Sequence, residues 1–221
     1  MRIYAYVDGE SHYIRTQAEF RATHGESADL ASAVYIHTST GSAAYPDQSK
    51  PYLRVIPSAK FFWDTNYPFA GPGSLAGQYI SSAAYFTAVS GDSSAFHDAC
   101  LAIRRNGFFP HVIHEPTQLA NRRNEKRNAS GIIEKAKGVD IGLAVQLLED
   151  AYHNNFDACY VFTSDIDFLP ALRVVQRMGK KVVVFGYNRG LGDQSKLVYL
   201  PDAFVDLTEH VRTAYLNPAP T

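Results

Sequence analysis

Short apolar runs recur along this chain, each closed by a polar or glycine-containing turn, and stretches with helical spacing separate them. Residues 2 to 7 are β-branched and aromatic and end at Asp8-Gly9, which predicts a buried first strand closing on a turn. A helix of mediocre period is expected from about Ser11 to His24. Further on, Ala84 to Val89 reads as a strand. Ser93 to Asn106 reads as a helix with Asp92 as N-cap and Gly107 as its stop, and Phe108 to His114 as another strand. Asp140 to Asn154 is helical, with Ile141, Val145 and Leu148 on one face. Ala158 to Phe162 is a strand, and Asp167 to Met178 a helix with Pro170 in its first turn and Gly179 at its end. Lys181 to Phe185 is the last well-marked strand. Leu197 to Leu200 predicts an edge strand and Ala203 to Tyr215 a terminal helix. Strands alternating with helices imply a mainly parallel sheet covered on both faces, hence a three-layer α/β sandwich. There is no internal repeat.

Residues 34 to 80 break this rhythm. They hold Pro46, Pro51, Pro57, Pro68 and Pro72, many Gly and Ser, and Trp63. Val34 to His37 and Tyr52 to Ile56 are candidate short strands, and the rest reads as loop. So long a loop within a compact domain is usually functional or mobile. The chain of 221 residues suits one domain, 1–221, with this Pro/Gly/aromatic-rich stretch as an insertion. Hydrophobic residues make up 46% of the chain, enough for a real core, and the 19% of charged residues does not suggest wholesale disorder. A net charge of −1 excludes a global field for polyanions, so affinity for nucleic acid has to come from a local basic patch. Cys100 and Cys159 both sit in apolar patterns and read as free, buried thiols. The N-terminus turns acidic too soon for a signal peptide, and no apolar run is long enough to span a bilayer. A cytoplasmic protein with no membrane partner is expected.

The candidate chemistry lies in four carboxylates. Asp165 and Asp167 follow the Ala158–Phe162 strand in the run Thr163-Ser164-Asp165-Ile166-Asp167-Phe168-Leu169-Pro170. Asp8 ends the first strand, and Asp140 opens a helix after Lys137-Gly138-Val139. In a parallel sheet the strand ends gather along one carboxyl edge, where open α/β folds keep their sites. Acidic groups crowded there repel one another unless a cation or a shared proton relieves them. Oxygen ligands of this kind suit Mg²⁺ or Mn²⁺. Each residue also has a plain structural reading: Asp8-Gly9 as a turn, and Asp140 or Asp167 as a helix N-cap.

Three stretches carry a resemblance to a known family: Tyr6-Val7-Asp8-Gly9, Lys137-Gly138-Val139-Asp140-Ile141-Gly142-Leu143-Ala144-Val145, and the Thr163–Pro170 run; Gly179 to Gly186 also fits. In this order they resemble the NYN domain of the PIN-like nuclease superfamily, notably its LabA-like branch, over residues 1 to 20 and about 80 to 210. The resemblance implies a parallel α/β sandwich and Mg²⁺- or Mn²⁺-dependent cleavage of RNA. Asp8, Asp140, Asp165 and Asp167 match the family's metal-binding and catalytic positions. Two positions depart from its pattern. Glu10-Ser11 stands where the family usually has an Asn, and Gln146 stands where many members carry an acid. Glutamine accepts a hydrogen bond but does not neutralise a cation.

Arg122, Arg123, Lys126, Arg127, Lys135 and Lys137 cluster just before Asp140. Such a flank offsets the repulsion between a polyanion and an acidic site and gives salt-sensitive contacts to phosphates; its bland reading is a solvated loop. Ser164 is a turn residue placed to orient water or a phosphate. Tyr52, Phe61, Phe62, Trp63, Tyr67 and Phe69 in the insertion either stack on bases of single-stranded RNA or pack the loop onto its own domain or a second subunit. His12 reads as structural. A metal-dependent endoribonuclease is the leading expectation, with water attacking the phosphodiester in line. The alternative is a non-catalytic RNA-binding module on the same fold. A different metal-phosphate enzyme ranks third. A dinucleotide site is disfavoured, because Asp8-Gly9-Glu10-Ser11 is not a glycine-rich phosphate loop.

Overall fold

Strands buried on both faces need apolar side chains at odd and even positions alike, and the central strands of this protein have them. In β1 (Ile3–Asp8), Ile3, Ala5 and Val7 enter one core while Tyr4 and Tyr6 enter the other. The same division separates Tyr160 and Phe162 from Cys159 and Val161 in β6 (Ala158–Phe162), and Phe185 from Val182 and Val184 in β7 (Lys181–Gly186). This computed structural model describes residues 1–28, 34–36, 43–44, 80–90, 92–105, 108–115, 122, 138–189, 191 and 196–216.

The main sheet has six strands in the order β5-β4-β1-β6-β7-β8, with β4 spanning Ile80–Ser90, β5 Phe109–Glu115 and β8 Ala203–Asp206. All its pairings are parallel. A small antiparallel sheet joins β2 (Val34–Ile36), β3 (Ala43–Ala44) and β9 (Tyr215–Leu216). Helices α1 (Gly9–His24), α2 (Ser93–Arg105) and α6 (Thr208–Ala214) supply Phe20, Ile103 and Val211 to one core. Helices α3 (Val139–Tyr152), α4 (Leu169–Arg177) and α5 (Lys196–Tyr199) supply Leu143, Leu172 and Leu197 to the other. The expected three-layer α/β sandwich is therefore observed.

Local signals account for most boundaries. Asp92 accepts hydrogen bonds from the Ala95 amide (3.0 Å) and the Ser94 hydroxyl (2.7 Å), as an N-cap should. Cys100 and Cys159 are free thiols, Cys159 fully buried and Cys100 half-buried. Two expectations fail. The run from Leu197 forms a helical turn rather than an edge strand. The edge strand is Ala203–Asp206, and the terminal helix starts only at Thr208. Asp202 explains the exchange: its carboxylate accepts from the Val182 amide (2.8 Å) and its own amide donates to Val182 O (2.9 Å), so pairing on β7 begins just after it. In α3, Ile141 and Val145 face solvent (69% and 48% exposed) while Val139, Leu143, Leu147 and Ala151 are buried. This helix is apolar nearly all round, so its period does not select the buried face. The candidate strand Tyr52–Ile56, the aromatic cluster and most of the 34–80 insertion lie outside the described residues, as does Gly107.

The passage from β1 to α1 needs no turn, because Gly9 opens the helix directly after Asp8. A Cβ on Gly9 would lie 2.4 Å from Tyr85 Cε1, on a ring buried in the core. Only glycine admits this close approach of α1 to β4. Gly9→Ala is expected to lose on the order of 1–3 kcal/mol of unfolding free energy despite alanine's better helix propensity. Urea denaturation of the two proteins measures it.

Candidate functional site at the carboxyl edge of the sheet

The chain leaves β1 toward β4 and β5, then crosses to β6 on the other side of β1 and continues to β7 and β8. The crevice at the carboxyl ends of β1 and β6 is thus the topological switch point, where ligand sites of open α/β sheets form. The helices that follow these two strands, α1 and α4, pack on opposite faces of the sheet, which leaves the crevice between them.

Asp8 ends β1 and is fully buried. A buried carboxylate needs its oxygens satisfied. Oδ1 accepts from the Ser11 amide (3.1 Å), making Asp8 the N-cap of α1, and Oδ2 accepts from the Thr163 hydroxyl (3.1 Å). Thr163 follows β6 directly, and its Oγ1 in turn accepts from the Asp165 amide (3.1 Å). Ser164 N donates to Ser11 Oγ (3.4 Å), and Ser164 Oγ accepts from the Tyr187 amide (3.2 Å). One hydrogen-bonded chain therefore ties the ends of β1, β6 and β7. It is tightly packed: a Cβ on Gly186 would meet Thr163 O at 2.7 Å and Ser164 Oγ at 3.0 Å.

The predicted residues take distinct places in this edge. Asp165 is half-buried, and its Oδ1 accepts from the Asp167 amide (3.0 Å), capping the 3₁₀ turn Ile166–Phe168 that leads into α4. Capping therefore falls to Asp165 and not to Asp167, which lies exposed inside the turn. Pro170 sits in the first turn of α4, as expected. Asp140 is half-buried in the first turn of α3 and does not cap it. The cap is Gly138, in the left-handed region at φ 97°, with no side-chain bond, so Asp140 meets the positive end of the helix as a charge. Ser164 is buried within the strand-end network. Arg122 is exposed; Arg123, Lys126, Arg127 and Lys137 lie outside the described residues. Among the described residues, no group of three His, Cys, Asp or Glu side chains converges closely enough to hold a metal ion. Asp8 and Asp165 are linked through Thr163, whose hydroxyl donates to the Asp8 carboxylate and accepts from the Asp165 amide.

Thr163 and Ser11 were not singled out from the sequence. An Asp at a strand end three residues before a Ser, opening a helical stretch, is an N-cap signal that a turn reading of Asp8-Gly9 obscures. His12 is structural: 7% exposed, it packs edge-on against Phe162 (6.2 Å between ring centroids) and beside Tyr187 (6.3 Å). Burial pushes its imidazole down from 6.5 to about 4.

The fold is a doubly wound parallel α/β sheet with acidic side chains at its switch point. Residues 76–208 match the NYN domain family, and the chain belongs to that family, within the PIN-like nuclease superfamily. The match includes Asp140, Asp165 and Asp167. Asp8 precedes it, but β1 pairs on both sides with strands inside the matched span, β4 and β6. The chain is 42% identical over 55 residues to the uncharacterized protein MJ0482 of Methanocaldococcus jannaschii, a stretch that covers 25% of this chain and 23% of that one. It is also similar to the crystal structure of a protein of unknown function, VPA0982, from Vibrio parahaemolyticus, with 19% identity and a TM-score of 0.48 over 93% of this chain and 92% of that one. Among the described residues no helix is long and apolar enough to cross a membrane.

Two measurements test this edge. Thr163→Val removes a donor to Asp8 and an acceptor for Asp165 N while keeping the shape. It should cost about 1–3 kcal/mol of stability, the penalty for a buried carboxylate left short of a donor, read by urea denaturation. His12 binds no proton in the folded state above about pH 4, whereas the unfolded chain takes one up below 6.5. Its contribution to stability is therefore intact above pH 6.5 and is lost as the pH falls toward about 4, by roughly 3 kcal/mol in all. His12→Phe should flatten that part of the stability-versus-pH curve.

Proposed function

We propose that this protein is a divalent-metal-dependent endoribonuclease acting at the crevice between β1 and β6. The observation that carries this reading is the placement of Asp8 at the end of β1 and Asp165 just beyond the end of β6, the two strands flanking the switch point, joined through the Thr163 hydroxyl. Membership of the NYN family supports it.

The donor chemistry fits a hard cation, although no three-carboxylate cage is preformed among the described residues. Mg²⁺ is commonly held by one or two carboxylates, with water and substrate phosphate completing its shell. Asp8 and Asp165 would hold it through their carboxylate oxygens. Asp140 and Asp167 would add negative charge at the rim. When bound, the ion would polarise the scissile phosphate and activate water for in-line attack. The protein's own share is positioning. The Ser11 amide and the Thr163 hydroxyl hold the Asp8 carboxylate in place, and the Asp167 amide holds Asp165. Arg122, Arg123, Lys126, Arg127 and Lys137 would grip the backbone of single-stranded RNA through salt-sensitive contacts.

One observation favours a second reading, a non-catalytic RNA-binding module. Gln146, at a position where the family often has an acid, donates to Asp150 at 3.2 Å and so serves the interior of the α3 face.

The test is cleavage of a labelled single-stranded RNA with Mn²⁺ or Mg²⁺ and with chelator. Wild type should cleave, chelator should abolish cleavage, and Asp165→Asn should slow it by roughly a hundredfold, as loss of a metal-site contact does. Equal cleavage by wild type and Asp165→Asn would overturn the proposal. Good RNA binding with negligible Mn²⁺ affinity would establish the second reading in its place.

A further inference from the structure

On the α3 side of the sheet, toward the amino ends of its strands, a cavity of about 300 Å³ opens between β1, β4, β5 and α3. Its volume is at the small end of organic-ligand pockets. Tyr4 and Tyr6 line it from β1, Phe109 and His111 from β5, and Gln146 and Asp150 from α3. The carboxyl-edge site uses none of these residues.

Asp150 is the unusual member. It is only 9% exposed, yet every group bonded to its carboxylate is neutral. Oδ2 accepts from the Tyr6 hydroxyl (2.7 Å) and the Gln146 amide (3.2 Å), and Oδ1 from the Asn155 amide (2.8 Å). Among the described residues no lysine or arginine pairs with it. His111 does not supply the charge either. Burial holds its imidazole below the ordinary value against the opposing pull of Asp150, so it is neutral near pH 7. A desolvated carboxylate without a counter-charge is costly, and the three donors offset only part of that cost.

The walls are as informative as the charge. His111 stacks on Phe86 with ring centroids 4.3 Å apart and planes 11° apart, and Phe109 leans on His111 at 5.2 Å. Phe109 is 57% exposed, so an aromatic ring stands where the cavity meets solvent. Hard divalent ions require several oxygen ligands, whereas the oxygen donors of this cavity are few and its walls largely aromatic. Aromatic faces beside a carboxylate attract cations with an apolar body.

We propose that this cavity binds a small organic cation, an alkylammonium or guanidinium group, whose charge pairs with Asp150 and whose carbon stem lies against Tyr4, Phe109 and His111. The same head group arrives on a free amine or on a lysine or arginine side chain of a peptide. The site is independent of the nuclease reading, because its binding is measured without RNA and without divalent metal.

Isothermal titration calorimetry at constant ionic strength provides the test. The probes are putrescine, agmatine and the capped tripeptides acetyl-Gly-Lys-Gly-amide and acetyl-Gly-Arg-Gly-amide, with n-butanol as the uncharged control. At least one cationic probe should bind saturably at one site, and n-butanol should not. Tighter binding of the free amines marks a metabolite-sized ligand, and tighter binding of the peptides marks a protein ligand. Asp150→Asn should weaken the binding by at least roughly tenfold, as loss of one partner of a buried charge pair does. Phe109→Leu, at an exposed position that the fold does not need, should weaken it less. It keeps the test decisive if Asp150→Asn does not fold. Absence of saturable binding by every cationic probe, or equal binding by wild type and both variants, would overturn the proposal.

Discussion

The carboxylate of Asp8 is buried at the point where a strand becomes a helix, and it has to be solvated by the protein itself. Its two oxygens draw the Ser11 amide from α1 and the Thr163 hydroxyl from the end of β6. These bonds set where α1 begins and hold the central pair of strands level at their carboxyl ends. Thr163 passes the constraint to the Asp165 amide, and Ser164 passes it to Tyr187 after β7. The strand ends around the switch point are thus joined through side chains as well as by the sheet ladder. Gly9 and Gly186 follow from the same demand, since a Cβ at either would meet neighbouring atoms at 2.4 Å and 2.7 Å.

The molecule places its polar groups at two separate levels of the sheet. At the carboxyl edge they are carboxylates tied to backbone amides and a hydroxyl. On the α3 face, closer to the amino ends of the strands, buried Tyr6 and Asp150 and half-buried Gln146 and Asn155 form a hydrogen-bonded network beside aromatic rings. Helix α3 connects the levels: Asp140 in its first turn belongs to the edge, and Asp150 in its last to the cavity. Its outward face carries Ile141, Val145 and Tyr152.

Much of the fold was legible because the central strands are apolar at every position, as in β6, and because caps such as Asp92 announce themselves locally. The placement of the candidate carboxylates was legible through motif order: Asp8 ends β1, Asp165 follows β6 and Asp140 lies in the first turn of α3. Their roles were less legible. Which of Asp165 and Asp167 caps the turn depends on a difference of two residues in where the helix begins. Periodicity did not select the buried face of α3, because Ile141 and Val145 repeat with the same spacing as Leu143 and Leu147. The segment from Leu197 looked like a strand because its residues favour one, but Asp202 takes the edge of β7 first.

The sequence by itself determined the alternation of strands and helices, the buried first strand and the family, and it singled out the candidate carboxylates, because periodicity and motif are local properties of the chain. Tertiary structure alone decided which strand lies beside which, and therefore that Asp8 and Thr163, 155 positions apart, share a hydrogen bond. It alone also decided that Asp150 is buried against Tyr6, 144 positions away. Both are contacts across elements. Their energy depends on solvent exclusion by groups distant in sequence, which no local pattern encodes.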